Sequence, residues 1–144
     1  MTEKETAEKI VFDEDHLRIH YDTDRSLVRL VWKGYVPSED YRAALDTALE
    51  FVLRNKVHLW LADLRNMSAI LRDDELWTNA EWFPRLARTK LQRMAILPSR
   101  DFFNQMSVKR IMDGTLGVIE FPVGYFAEED ESMEWLLGKD VKSA

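Results

Sequence analysis

The chain contains no cysteine, which excludes a disulfide framework, a thiolate nucleophile and a zinc–thiolate centre. Histidine is scarce, with 3 in 144 residues. His16 and His20 share one face of a strand-like run but stand too far apart for joint ligation of one ion, and His58 stands alone. Without ligand spacing, no metal is expected. No glycine-rich loop follows a strand candidate, and the nearest pair, Gly114 and Gly117, falls where a helix ends. Phosphate-cradle and dinucleotide sites therefore drop out, and no cofactor is expected. A Gly-x-Ser-x-Gly elbow is absent, and no histidine follows Ser68 in the order usual for hydrolases. No catalytic residue set emerges, so the expectation is a protein that is not an enzyme. No apolar run approaches the roughly 20 residues that cross a bilayer. Lys and Arg number 20 against 26 Asp and Glu, a net charge of −6. That balance disfavours a nucleic-acid groove or docking on anionic membrane. Residues Met1 to Lys9 are charged and lack the apolar segment of a secretion signal, so a cytoplasmic location is expected.

What the chain does have is a clear centre. Val57-His58-Leu59-Trp60-Leu61-Ala62-Asp63 is a short apolar run ending in an acid, followed by polar Leu64-Arg65-Asn66-Met67-Ser68. It reads as a central strand covered on both faces. Functional groups in such sheets gather past the carboxyl ends of the strands, where Asp63, Arg65, Asn66 and Ser68 would sit. Upstream, Ile10-Val11-Phe12 is a short strand candidate. His16 to Tyr21 alternates strictly and, after a turn at 22–25, Ser26 to Lys33 places Val28, Leu30 and Trp32 on one face; this predicts an antiparallel hairpin. Ser38 is a candidate N-cap. Tyr41, Ala44, Leu45, Ala48, Leu49, Val52 and Leu53 then follow helical spacing.

Beyond the central strand, Asp73 or Asp74 can cap a helix whose inner stripe is Leu76, Ala80, Phe83 and Ala87. Pro84 predicts a kink or restart. Leu91 to Leu97 is a further strand. Ser99 can cap a helix from Arg100 to about Asp113, with Gly114 as its C-cap. Residues 117–126 form a strand that Pro122 confines to an edge or a bulge. Glu128 to Leu137 is a last helix with Met133, Leu136 and Leu137 inward. The expectation is one α/β domain over 10–137, with 1–9 and 138–144 as flexible tails. It has a mixed β-sheet with a leading antiparallel hairpin, then alternating helices and strands packed on the sheet.

This order resembles the STAS / SpoIIAA-like fold of anti-sigma-factor antagonists, and more narrowly small bacterial STAS- and CRAL-TRIO-like proteins of unknown role. The residues that carry the resemblance are Val31-Trp32-Lys33-Gly34, Tyr41-Arg42, Trp60-Leu61-Ala62-Asp63, Arg65-Asn66-Met67, Asp74-Glu75-Leu76-Trp77, Trp82-Phe83-Pro84-Arg85, Phe126 and Trp135-Leu136. Signalling antagonists carry a phosphorylatable serine where this chain has Leu71-Arg72-Asp73-Asp74-Glu75, with no serine or threonine. A kinase-controlled switch is therefore not expected there. The acids read as helix caps; the other reading is a permanent mimic of a phosphate.

Asp63, Asp73, Asp74 and Glu75 gather near one strand end in sequence, a grouping that reads first as a cap and a solvated helix start, with acid–base work or Mg²⁺ binding as the other reading. Five tryptophans are many for this length. Trp77 and Trp82 lie about 500° apart on a regular helix and point to different sides. By that count Trp82 falls outside the inner stripe, and the expectation is a homodimer with Trp82 in its interface. The candidate binding residues are Asp63, Arg65, Asn66, Ser68, Asp73, Asp74 and Trp77. The functional expectation is a regulatory domain that binds a protein partner; the alternative is a carrier or sensor of a small apolar ligand held between sheet and helices.

Overall fold

The computed structural model describes residues 8–138. Strands β1 (Glu8–Glu14), β2 (Leu17–Asp22), β3 (Leu27–Gly34), β4 (Leu59–Met67), β5 (Arg93–Leu97) and β6 (Val123–Tyr125) form a six-stranded sheet in chain order. β1, β2 and β3 are antiparallel neighbours, and β3 to β6 run parallel. This is the mixed sheet with a leading antiparallel hairpin that the sequence predicts. Residues 1–7 and 139–144 of the expected tails lie outside the described residues. Glu8 and Lys9 pair with Asp22 and Tyr21, so the first strand begins earlier than Ile10. β6 occupies an edge, and Pro122 stands just before its first paired residue, giving its carbonyl to Met94 N where the ladder begins and no N–H is yet needed.

Alternation sorts the strands onto two faces. Leu17, Ile19, Val28, Leu30, Trp32, Trp60 and Ala62 pack in the larger core. Leu59, Leu61, Ala95 and Leu97 face a smaller one. Helix α1 (Ser38–Asn55) closes the larger face with Tyr41, Ala44, Leu45, Ala48, Leu49 and Val52, while Leu53, expected inward, is exposed. Segment α2 (Arg72–Trp77), a π turn (Thr78–Trp82) and α3 (Phe83–Leu86) cover the same face, followed by α4 (Phe102–Asp113). Helix α5 (Glu129–Leu136) covers the smaller core through Leu136, with Met133 and Leu137 packed against it.

The segment after β4 departs furthest from the sequence reading. Trp82 does not lie on an outer face: it is 2% exposed, its Nε1 donates to Leu45 O at 2.9 Å, and its ring meets Trp60 and Phe83 edge-on. Leu76 is 53% exposed instead of inward, and Ala80 and Ala87 are exposed too. From Thr78 onward the cause is the π turn, whose i→i+5 bonding holds more residues per turn than an α-helix. Leu76 precedes it and faces out because Asp74, Glu75 and Thr78 hold the inward positions. Pro84 explains why the π turn is there. In a continuous α-helix its ring would meet the carbonyl of Ala80, whereas a restart puts it in the first turn, where no N–H is needed. The interface assigned to Trp82 thus loses its geometric premise.

Three caps also differ. Ser38 makes no cap bond and donates its hydroxyl to Asp74. Neither Asp73 nor Asp74 caps α2, whose first turn follows Leu71. Asp101, not Ser99, caps α4, accepting from Phe103 N and Asn104 N. Gly114 does end α4, but its φ of −75° is ordinary. A Cβ there would lie 2.7 Å from Asn79 Nδ2, so a larger residue would displace the amide that donates to Ile111 O.

Trp60 is 2% exposed in the middle of β4, so Trp60→Ala is expected to cost about 3–5 kcal/mol in urea unfolding. Trp82→Glu should unfold the domain instead of releasing a folded monomer, because it buries a charge without a partner. A cooperative Trp82→Glu protein of near wild-type stability would contradict this packing.

Candidate functional site

Charged ties hold the chain around β4, which runs to Met67, so that Asp63, Arg65 and Asn66 lie within the strand and not past its end as the sequence suggested. Asp63 and Arg65 are i, i+2 on β4 and therefore share the face that α5 covers. Arg65 Nε and Nη2 donate to the two Asp63 carboxylate oxygens at 2.9 and 2.8 Å, and Nη2 reaches Glu129 at 3.4 Å. Burial alone would raise the Asp63 pKa, but the Arg65 hydrogen bonds outweigh it and hold the carboxyl below its ordinary value.

Asp74 and Glu75 lie on the opposite side of the sheet, so the four acids do not converge. Consecutive on α2, they point about 100° apart and grip different neighbours. Asp74, 1% exposed, accepts from Ser38 Oγ and from Arg42 Nε at 2.9 Å, which ties α2 to α1. Glu75, 2% exposed, accepts from Arg72 at 2.9 Å and from Arg110 in a two-pronged contact of 2.9 and 2.8 Å, which ties α2 to α4. Burial pushes the Glu75 pKa upward, and the hydrogen bonds from Arg110 and Arg72 more than reverse it, so its net shift is down. Thr78 donates to Asp74 O at 2.6 Å, leaving its Oγ1 to accept from Tyr41. Burial drives the Tyr41 pKa well up, keeping the phenol a neutral donor.

The remaining predicted residues scatter. Trp77 is half-buried, with the Arg42 guanidinium 5.3 Å from its ring centre. Asp73 is exposed. Asn66 accepts from Arg100 at 2.7 Å. Ser68 is held by its backbone, donating from N to Gly34 O and accepting at O from Asn104 Nδ2.

Those last contacts build a groove that the sequence reading missed. The inner face of α4 is largely polar because it serves loop carbonyls: Asn104 Nδ2 donates to Ser68 O at 2.7 Å and Ser107 Oγ to Ile70 O at 3.3 Å. With Asn104, Ser107 and Ile111 turned inward, Phe102 and Phe103 are left 63% and 68% exposed, in edge-on contact with each other. They, Met106 and Arg110, all on α4, line a groove of about 430 Å³ together with Ala69, Ile70, Arg72 and Glu75. Adjacent phenylalanines just after an N-cap carried a readable signal, since neighbours about 100° apart on a helix cannot both face one core. Arg110 gave none, standing 35 residues from Glu75. Separately, an apolar cavity of about 90 Å³ remains between sheet and helices, bounded among others by Trp60, Trp82, Phe83 and Ile111.

No protein-family model matches the chain, and no curated protein matches it. Among solved structures it is similar to an uncharacterized protein of the DUF3478 family with a SpoIIAA-like fold from Shewanella loihica PV-4. The TM-score is 0.55 at 15% identity, over 90% of this chain and 92% of that one. The chain has a SpoIIAA-like fold, as its residues imply by resemblance; at this identity the likeness is one of fold.

Asp63 and Glu75 both bind protons less readily folded than unfolded. Their contribution to stability is therefore complete above the unfolded carboxylate range, about pH 4–5, and is lost as pH falls through their lower folded values. The urea midpoint should drop over that acid window, and Asp63→Asn should flatten the drop. An unchanged slope in Asp63→Asn would contradict the Arg65 tie.

Proposed function

We propose that this domain is a regulatory interaction module that binds a protein partner in the groove between residues 69–72 and the first half of α4. The observation that carries the reading is the exposed pair Phe102 and Phe103, joined by Met106. Large apolar side chains placed side by side in water mark contact surfaces, and aromatics are the anchors such contacts favour. Phe103, Met106 and Arg110 follow at i, i+3 and i+7, a spacing that presents them along one stripe. The margin carries more positive charge than a chain of net −6 would suggest, because one carboxylate, Glu75, serves two guanidiniums, and among the described residues the Arg100 guanidinium, two residues before Phe102, bonds a neutral amide and no carboxylate. The partner that fits offers apolar side chains within an acidic rim. With no serine or threonine among residues 71–75, binding in this reading does not wait on phosphorylation there.

A photo-crosslinking residue placed at Phe103 in the native cell should yield one discrete protein adduct, lost when Phe102 and Met106 become Ser. The same probe at Arg54, on the far end of α1, is the control. If position 103 captures no more than position 54, the reading fails. An adduct with a second copy of this chain, matched by a dimer in sedimentation, would make the partner the protein itself.

A further inference from the structure

The flank of α4 opposite the groove has its own opening. A cleft of about 390 Å³ lies between that helix and the ends of β5 and β6. Leu64, Ile96 and Val108 line both this cleft and the apolar cavity of about 90 Å³, so it leads toward the core. Its polar groups are nearly all used. Ser99 Oγ donates to Met67 O and accepts from Asp101 N, and Gln105 Nε2 donates to Ser99 O. Lys109 and Asp113, both well exposed, neutralise each other at 3.2 Å.

Asn104 is the exception. It is fully buried, its Nδ2 is committed to Ser68 O, and that bond fixes the amide orientation so that Oδ1 is left without a partner. A buried acceptor left unmet is costly, and a donor brought by a bound molecule removes that cost. We propose that the cleft binds a small neutral molecule with an apolar body and one hydrogen-bond donor, a hydroxyl or an N–H, directed at Asn104 Oδ1. The cleft falls within the roughly 300–1,000 Å³ of small-molecule sites. Its apolar inner wall takes the body, and the cancelled charges of Lys109 and Asp113 favour no ion. This site stands independently of the protein groove on the other flank.

Indole and 1-methylindole test it, because they share a shape and differ by one N–H donor. Titrated into the full chain and followed by ¹⁵N–¹H spectra, indole should saturably shift the Asn104 side-chain signals and the Val108 and Tyr125 amides. 1-Methylindole should bind about tenfold more weakly or worse, the loss expected for one unmet buried acceptor. Equal affinity for the two, or no saturable shift at the cleft, overturns the proposal and leaves the acceptor to a water. Val108→Phe should narrow the passage and abolish the indole shifts; a folded Val108→Phe that binds indole undiminished also overturns it. Should that variant fail to fold, the wild-type comparison decides alone.

Discussion

The contact of Trp82 with Trp60 and with the carbonyl of Leu45 joins β4, α1 and the π turn at one point. Magnitudes rank what holds this point. Burying a side chain of 150–250 Å² is worth roughly 4–6 kcal/mol of transfer free energy. Its single hydrogen bond adds about 1 kcal/mol. The neighbouring ion pairs of Asp74 and Glu75 contribute less than that burial, because removing their charges from water offsets much of the attraction to their arginines. They also contribute direction. Apolar burial presses the 72–86 segment onto the sheet, and the two carboxylates fix its rotation by reaching Arg42 on one side and Arg110 on the other.

The exposed surface follows from that arrangement. The loop after β4 carries carbonyls that need donors, and α4 supplies them from Asn104 and Ser107. A helix that spends its inner face on polar bonds has fewer inward positions for aromatics, and Phe102 and Phe103 stay in water. The groove and the cleft are thus two sides of one helix, separated by the same inward stripe. Both lie at the carboxyl ends of parallel strands, where α/β sheets usually place their sites.

The sequence disclosed most where one physical rule acted alone. Period-two alternation identified β2 and β3, and a two-sided apolar run identified β4. Helical spacing identified α1, except that its last predicted inward residue, Leu53, is exposed. Reading failed where two rules competed. In the 72–86 segment, Pro84 changed the helical period while Asp74, Glu75 and Thr78 took inward positions that hydropathy assigns to apolar residues. The same failure spread to the site. Asp63 and the pair Asp74–Glu75 are close in sequence but separated by the sheet, and Glu75's strongest partner, Arg110, is remote along the chain. Ser38 and Ser99 were read as caps by local pattern, yet both hydroxyls serve distant acceptors, Asp74 and the Met67 carbonyl.

The central claim is that the π turn carries the Trp82 indole into the core. Hydrogen exchange of the Trp82 indole N–H, followed by NMR after transfer into deuterated water, tests it most directly. Buried and bonded to Leu45 O, that proton should exchange as slowly as the backbone amides in the middle of β4. Exchange at the rate of a solvent-exposed indole would mean that Trp82 faces outward on a regular helix, and the account of this segment would be wrong.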